Sequence, residues 1–285
     1  MIQAVSRRLL ALVAAVVTAA AALTLPAGVA DAQTRNLVVF GDSVIANPTV
    51  PEYLAGGLSS NVANGQSSRG SSGNPAEGCP QGDNWGRGAA QRLGMPAWDY
   101  SCSGAVSMSP GPQFSTQVDT AIRTGGLTDA TERVIISTGF NDTYNNVQMS
   151  DGQLTQAFVA AMAPQVERIK QAAPNARIQI VGYPSITAGD HICLFRVGPN
   201  VSDRTYVPQV NQWQWQAQDM QIALANATGV EFLDLKPSTS DNHMCAPDDK
   251  RMWAGLVDFY GGPGNLPFHV NDRGHAHVAH VIAHS

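Results

Sequence analysis

Five short apolar runs recur along this chain with helix-period segments between them, and that alternation restricts the fold more than any other feature. The runs are Leu37 to Phe40, Ala97 to Tyr100, Arg133 to Ser137, Arg177 to Gly182 and Glu231 to Leu235, each rich in Val, Ile or aromatic residues and bounded by Gly, Pro, Asn or Asp. Runs of this kind suit parallel strands covered on both faces, because a half-exposed strand alternates apolar with polar side chains. Between the third and fourth runs, Leu154, Phe158, Met162, Val166 and Ile169 fall at helical spacing, and Pro174 and Asn175 close the segment. Val210, Trp213, Ala217, Met220 and Leu224 repeat the pattern before the fifth run. Strand–helix alternation with right-handed crossovers predicts an α/β fold, a three-layer α/β/α sandwich on a five-stranded parallel sheet. The aromatic and Met stripes are then core. Residues 55–83, rich in Gly and Ser, and residues 236–268, punctuated by Pro, Gly and Asp, fit no element and are expected to be loops around a cleft.

The first 32 residues read as a Sec-type signal peptide: Arg7 and Arg8 precede an Ala-rich apolar run, and Ala30-Asp31-Ala32 offers a small-x-small cleavage site. A retained membrane anchor is the rival, since the run approaches bilayer-spanning length. Pro26 and Gly28 before the cleavage site favour removal, which leaves residues 33–285 as a single domain without a further membrane span. An extracytoplasmic chain meets an oxidising environment, and its four cysteines can pair in three ways. The sequential pairing, Cys79 with Cys102 and Cys193 with Cys245, is expected; loops of these lengths contribute about 3.5 and about 4 kcal/mol by chain entropy. No C-x-x-C pair supports zinc. The 17 Lys and Arg residues are scattered through a chain of net charge −5, which excludes a nucleic-acid partner.

The first run stops abruptly in Gly41, Asp42 and Ser43. In an open α/β sheet, ligands gather at the carboxyl ends of the strands, and Ser43 stands at one. Glycine permits a tight exit there, and a helix beginning at Ser43 would point its amides outward. The third run leaves through "STGFND", with Gly139, Asn141 and Asp142 at the same edge, and the second through "YSCSGA", with Gly104 beside Cys102. A serine attacking an ester carbonyl creates an oxyanion; the backbone N–H groups of Ser43 and Gly104 and the amide of Asn141 would supply three donors. The base must be one of seven histidines: His191, His243, His269, His275, His277, His280 or His284. The last four fall on or near a terminal helix that Asn271 could cap, and His277, His280 and His284 read as one solvated face. His269 lies in the loop before that helix, from which its imidazole can reach another strand end.

"FGDSV", "CSGA", "STGFND" and "FHVNDRGH" occur in the order and approximate spacing of the four sequence blocks of the SGNH hydrolases, the GDSL esterase/lipase family. The chain resembles this family, in its secreted actinobacterial branch, over nearly all of its mature length. The resemblance implies a flavodoxin-like sheet, Ser43 as nucleophile, Gly104 and Asn141 as oxyanion donors, and His269 as general base. Family members often carry an aspartate three residues before the histidine, where this chain has Leu266. Some secreted members use a main-chain carbonyl instead, so the Leu266 carbonyl is the expected acceptor for the imidazole, with Asp258 and Asp272 as alternatives. The branch typically has three disulfides; four cysteines allow two here.

The resulting expectation is a secreted serine esterase or lipase, monomeric, needing no metal or organic cofactor, acting on small-molecule, lipid or acylated-glycan esters. Acyl transfer to a sugar or lipid alcohol, and a non-catalytic envelope or carbohydrate-binding role, are the rivals. Trp85, Phe140, Tyr144, Tyr183 and Trp253 could line an acyl or aryl site, although buried packing accounts for each.

Overall fold

Leu37, Val38, Val39 and Phe40 are all fully buried, so the first run is a strand covered on both faces. The computed structural model describes residues 34–59, 79–260, 262 and 264–285. The expected signal peptide and most of the Gly- and Ser-rich stretch 55–83 lie outside the described residues. Strands β1 (Asn36–Gly41), β2 (Ala97–Asp99), β3 (Thr131–Ser137), β4 (Arg177–Val181) and β5 (Glu231–Leu233) coincide with the five runs. They form one all-parallel sheet in the order β2-β1-β3-β4-β5, the flavodoxin-like sheet expected.

Helices surround it: α1 (Ser43–Ala46), α2 (Val50–Ser59), α3 (Trp85–Leu93), α4 (Phe114–Arg123), α5 (Phe140–Asn145), α6 (Asp151–Ala172), α7 (Pro208–Thr228), α8 (Lys236–Thr239) and α9 (Asp272–His284). α3 packs on α9, while α4, α6 and α7 pack together. α6 opens with a reciprocal cap between Ser150 and Gln153 and buries Leu154, Phe158, Met162, Val166 and Ile169, the stripe read from the sequence. Each such side chain stabilises the fold by about 1.5–3 kcal/mol through removal of apolar surface from water.

α7 keeps part of the expected stripe, with Ala217, Met220 and Leu224 buried, and departs from it at two positions. Trp213 and Val210 are only half-buried, whereas Gln214, Gln218 and Gln221 are buried. Long amides substitute for apolar side chains there because they reach loop backbone: Gln221 Nε2 donates to the Thr138 carbonyl (2.9 Å), and the Ile186 N–H donates to Gln214 Oε1 (3.0 Å). Nor are the two presumed loops structureless throughout. Residues 55–59 continue α2, α8 occupies 236–239, and Val257–Asp258 pairs with Phe195–Gly198 in a small sheet. The ribbons between residues 191 and 206 went unforeseen, because strands of two to four residues are too short to show a period.

Both expected disulfides are present, Cys79–Cys102 and Cys193–Cys245, each with Cα atoms 5.0 Å apart. The first fastens the chain entering α3 to the loop after β2. No helix among the described residues is long and apolar enough to cross a membrane.

Candidate active site

The strand order places the ends of β1, β2 and β3 side by side, with Gly41 opposite Ser137. Gly41 is confined on every side. A Cβ there would overlap the Ser137 carbonyl oxygen, so only glycine lets the two strand ends approach. Its N–H donates to Gln117 Oε1 (2.9 Å), and its carbonyl accepts from Gln117 Nε2 (2.8 Å) and from the Cys102 N–H (3.0 Å). The Asp42 N–H donates to the Ser137 carbonyl at 3.1 Å. The turn is therefore held by β3, by the loop after β2 and by a buried α4 side chain.

Asp42 caps α1, its Oδ1 accepting from the Val44 N–H (2.9 Å), which leaves Ser43 as the first helical residue with its amide outward. Tyr183, just beyond β4, donates its hydroxyl to Asp42 Oδ2 (2.5 Å) and accepts the Phe140 N–H (3.2 Å). One phenol thus ties the serine turn to α5. Burial pushes the Asp42 carboxyl up to about 7, with the charge of Asp142 adding to the effect, against the hydrogen bonds from Tyr183 and Val44.

At the end of β3, Gly139 adopts φ 120°, a backbone closed to other residue types, and starts α5. The next residues place Asn141 and Asp142 inside, both buried. Asn141 Nδ2 donates to the Ala105 carbonyl (2.8 Å), and the Asp142 carboxylate accepts the N–H groups of Ser107 (3.0 Å) and Met108 (3.2 Å). These bonds draw the loop carrying Gly104, itself at φ 77°, against α5. The N–H groups of Ser43 and Gly104 have no acceptor among the described residues.

His269 arrives from the opposite end of the chain. Its loop is pinned by the Ala254 N–H donating to the His269 carbonyl (2.8 Å) and the Asn271 N–H to the Met252 carbonyl (3.0 Å), and Asn271 caps α9 through the Gly274 N–H. His269 Nε2 lies 2.8 Å from Ser43 Oγ, joining residues 226 apart in sequence.

The acceptor on its other ring nitrogen corrects one expectation: Nδ1 is 2.7 Å from the carbonyl of Pro267, not Leu266. The cause is local. Phe268 takes φ 61°, a left-handed conformation costing a side-chain-bearing residue about 1–2 kcal/mol, and folds the preceding carbonyl back onto the ring two residues on. A carbonyl can only accept, so the proton sits on Nδ1 and the Nε2 lone pair faces the serine hydroxyl. Neither carboxylate alternative takes part: Asp258 pairs with Arg251 (2.5 Å), and Asp272 is exposed at the start of α9. Burial lowers the pKa of His269 below its ordinary value, partly offset by the Pro267 carbonyl.

The other residues singled out from the sequence separate clearly. Trp85 and Trp253 are buried packing, Tyr183 is buried but bonded to Asp42, Phe140 is half-buried, and Tyr144 is 41% exposed beside Asn141. His280 and His284 lie on a solvated face with His277 half-exposed, whereas His275 turns inward, receives the Trp85 N–H on Nδ1 (3.3 Å) and is pushed down to about 3 by burial. Among the described residues no cluster of His, Cys, Asp or Glu could hold a metal ion. Gln117 escaped the sequence reading, although a polar residue on the face that buries Phe114, Val118 and Ala121 was a signal for it.

The chain is similar in structure to the phospholipase A1 of Streptomyces albidoflavus (14% identity, TM-score 0.50, 87% of this chain and 98% of that one). It is also similar to an extracellular lipase of Streptomyces rimosus (16% identity, TM-score 0.51, 86% of this chain and 98% of that one). At such identities the likeness concerns the fold. No curated protein matches by sequence. The pattern describing GDSL-like lipases and acylhydrolases, however, matches residues 39–277, from β1 through the His269 loop into α9. The chain belongs to the GDSL-like lipase/acylhydrolase family, a family of carboxylic ester hydrolases.

Proposed function

We propose that this protein is a secreted serine esterase that hydrolyses carboxylic esters through an acyl-enzyme on Ser43, its residues 33–285 acting as a single monomeric domain after removal of residues 1–32. The observation that carries the mechanism is the 2.8 Å contact between Ser43 Oγ and His269 Nε2. The hydroxyl oxygen attacks the ester carbonyl carbon while Nε2 takes its proton. The Ser43 and Gly104 N–H groups and Asn141 Nδ2 receive the charge that develops on the carbonyl oxygen, each worth about 2.7–4 kcal/mol in such a role. His269 returns the proton to the departing alcohol, and water, activated by the same imidazole, releases the acid. The Pro267 carbonyl holds the tautomer in place of a carboxylate, although it stabilises the imidazolium less.

A fluorophosphonate probe tests the nucleophile: wild-type protein is expected to label once, at Ser43, and Ser43→Ala not at all. Labelling that survives the substitution would remove Ser43 from the role. Product analysis with an added alcohol or glycan separates hydrolysis from acyl transfer, and a chain-length series of p-nitrophenyl esters assigns the acyl preference.

The same geometry sets a pH dependence. The imidazole works as a base only when neutral, so kcat/KM rises with pH as the imidazolium loses its proton. Because burial lowers the pKa of His269, the midpoint of that limb is expected below the ordinary histidine value of 6.5. A limb centred above that value in a pH–rate profile would contradict the environment described for His269.

A further inference from the structure

We propose that Tyr144 is a positioning residue for the oxyanion-binding amide of Asn141, acting through the hydrogen bond from its phenol to Asn141 Oδ1. The inference rests on the role of Asn141 proposed above and goes beyond it.

A primary amide offers two N–H donors and one carbonyl oxygen. In Asn141, Oδ1 accepts the Tyr144 hydroxyl at 2.7 Å, and Nδ2 donates to the Ala105 carbonyl at 2.8 Å. With those two bonds made, the planar group has one N–H left, and its direction is fixed. Tyr144 is placed for this by helix geometry, since residues three apart on α5 share a face. Its ring is held between Phe140 (centroids 6.2 Å apart, edge-on) and Trp213 of α7 (5.9 Å), so the hydroxyl cannot swing freely away. Burial, together with the nearby carboxyls of Asp42 and Asp142, raises the phenol pKa and keeps it a donor through the working pH range.

The arrangement favours the transition state over the bound substrate. As negative charge grows on the ester carbonyl oxygen, the free N–H of Asn141 donates more strongly and its own Oδ1 becomes a better acceptor, so the phenol bond tightens in step. No proton changes owner. An interaction that strengthens only as the oxyanion forms raises kcat and leaves KM alone. The competing role is a wall for the substrate: Tyr144 is 41% exposed, and its ring alone could contact an acyl or alcohol group.

A double-mutant cycle on a short-chain p-nitrophenyl ester separates the two. Tyr144→Phe removes only the hydroxyl and is expected to lower kcat about 3- to 10-fold, the worth of one hydrogen bond, with KM unchanged. Asn141→Ala is expected to lower kcat by about 10²- to 10³-fold. In the Asn141→Ala background, Tyr144→Phe is expected to have almost no further effect, because the group through which it acts is gone. Asn141→Ser serves as a second background should Asn141→Ala fold poorly by circular dichroism. An unchanged kcat in Tyr144→Phe, the same loss in both backgrounds, or a rise in KM alone would each overturn the proposal. The Asn141→Ala single variant reports on the underlying reading: if it loses kcat as expected, failure of the cycle belongs to Tyr144 alone, and if it keeps the wild-type kcat the oxyanion role of Asn141 fails instead.

Discussion

Ser43→Ala is expected to lower kcat/KM for a short-chain aryl ester by about 10⁶-fold, the loss seen when a serine nucleophile is removed from a coupled catalytic set. The protein should stay folded. Ser43 is half-buried at the first position of a four-residue helix, and its side chain caps nothing; the cap is Asp42. The backbone N–H of residue 43 survives the substitution, so part of the oxyanion site remains. Residual catalysis of about 10³- to 10⁴-fold over water is expected from that site and from binding. Turnover comparable to wild type, in protein with an unchanged circular dichroism spectrum and melting midpoint, would sink the mechanism.

His269→Ala is expected to cost about 10⁴- to 10⁶-fold in kcat, and the double variant Ser43→Ala/His269→Ala no more than the worse single change. Non-additivity follows from the shared proton: an imidazole without a hydroxyl has nothing to deprotonate, and a hydroxyl without an imidazole remains a poor nucleophile. The wide range reflects the main-chain acceptor. A carbonyl at 2.7 Å fixes the ring and its tautomer but carries no full charge to balance an imidazolium, so removing the ring forfeits less than it would in a carboxylate triad. Independent, multiplicative losses in a kinetic comparison of the single and double variants would show that the two residues do not act together.

Much of the molecule was legible in its sequence for identifiable reasons. A parallel strand buried on both faces has to be apolar almost throughout, so Leu37–Phe40 was visible without any structure, whereas Glu231–Leu233, at the sheet edge, is exposed at Glu231 and only half-buried at Phe232 and Leu233. α6 declared itself because its five buried residues repeat at one period along 22 positions. Gly41, Ser43, Gly104, Asn141 and His269 were legible because strand ends and the loops beyond them gather at one edge of such a sheet. The even cysteine count left three pairings open, and the sequential one that was expected is the one formed.

What stayed hidden depended on groups meeting across long separations or on one torsion. Nothing in the order of residues distinguishes the Leu266 carbonyl from that of Pro267; the choice is made by φ 61° at Phe268. The tether of Gln117 to Gly41 spans 76 residues and that of Tyr183 to Asp42 spans 141, and neither partner advertises the other. Asp258, a plausible partner for His269 by position, is drawn instead into a bidentate pair with the buried Arg251.

The layer architecture, the order of the elements and the residues at the strand ends were readable from the chain, because burial and backbone preference act on each segment through its own composition. Which groups touch was settled by the folded arrangement. Hydrogen bonds form over about 3 Å, and a distance that small is set by packing of the whole sheet and its helices and not by any local stretch of chain.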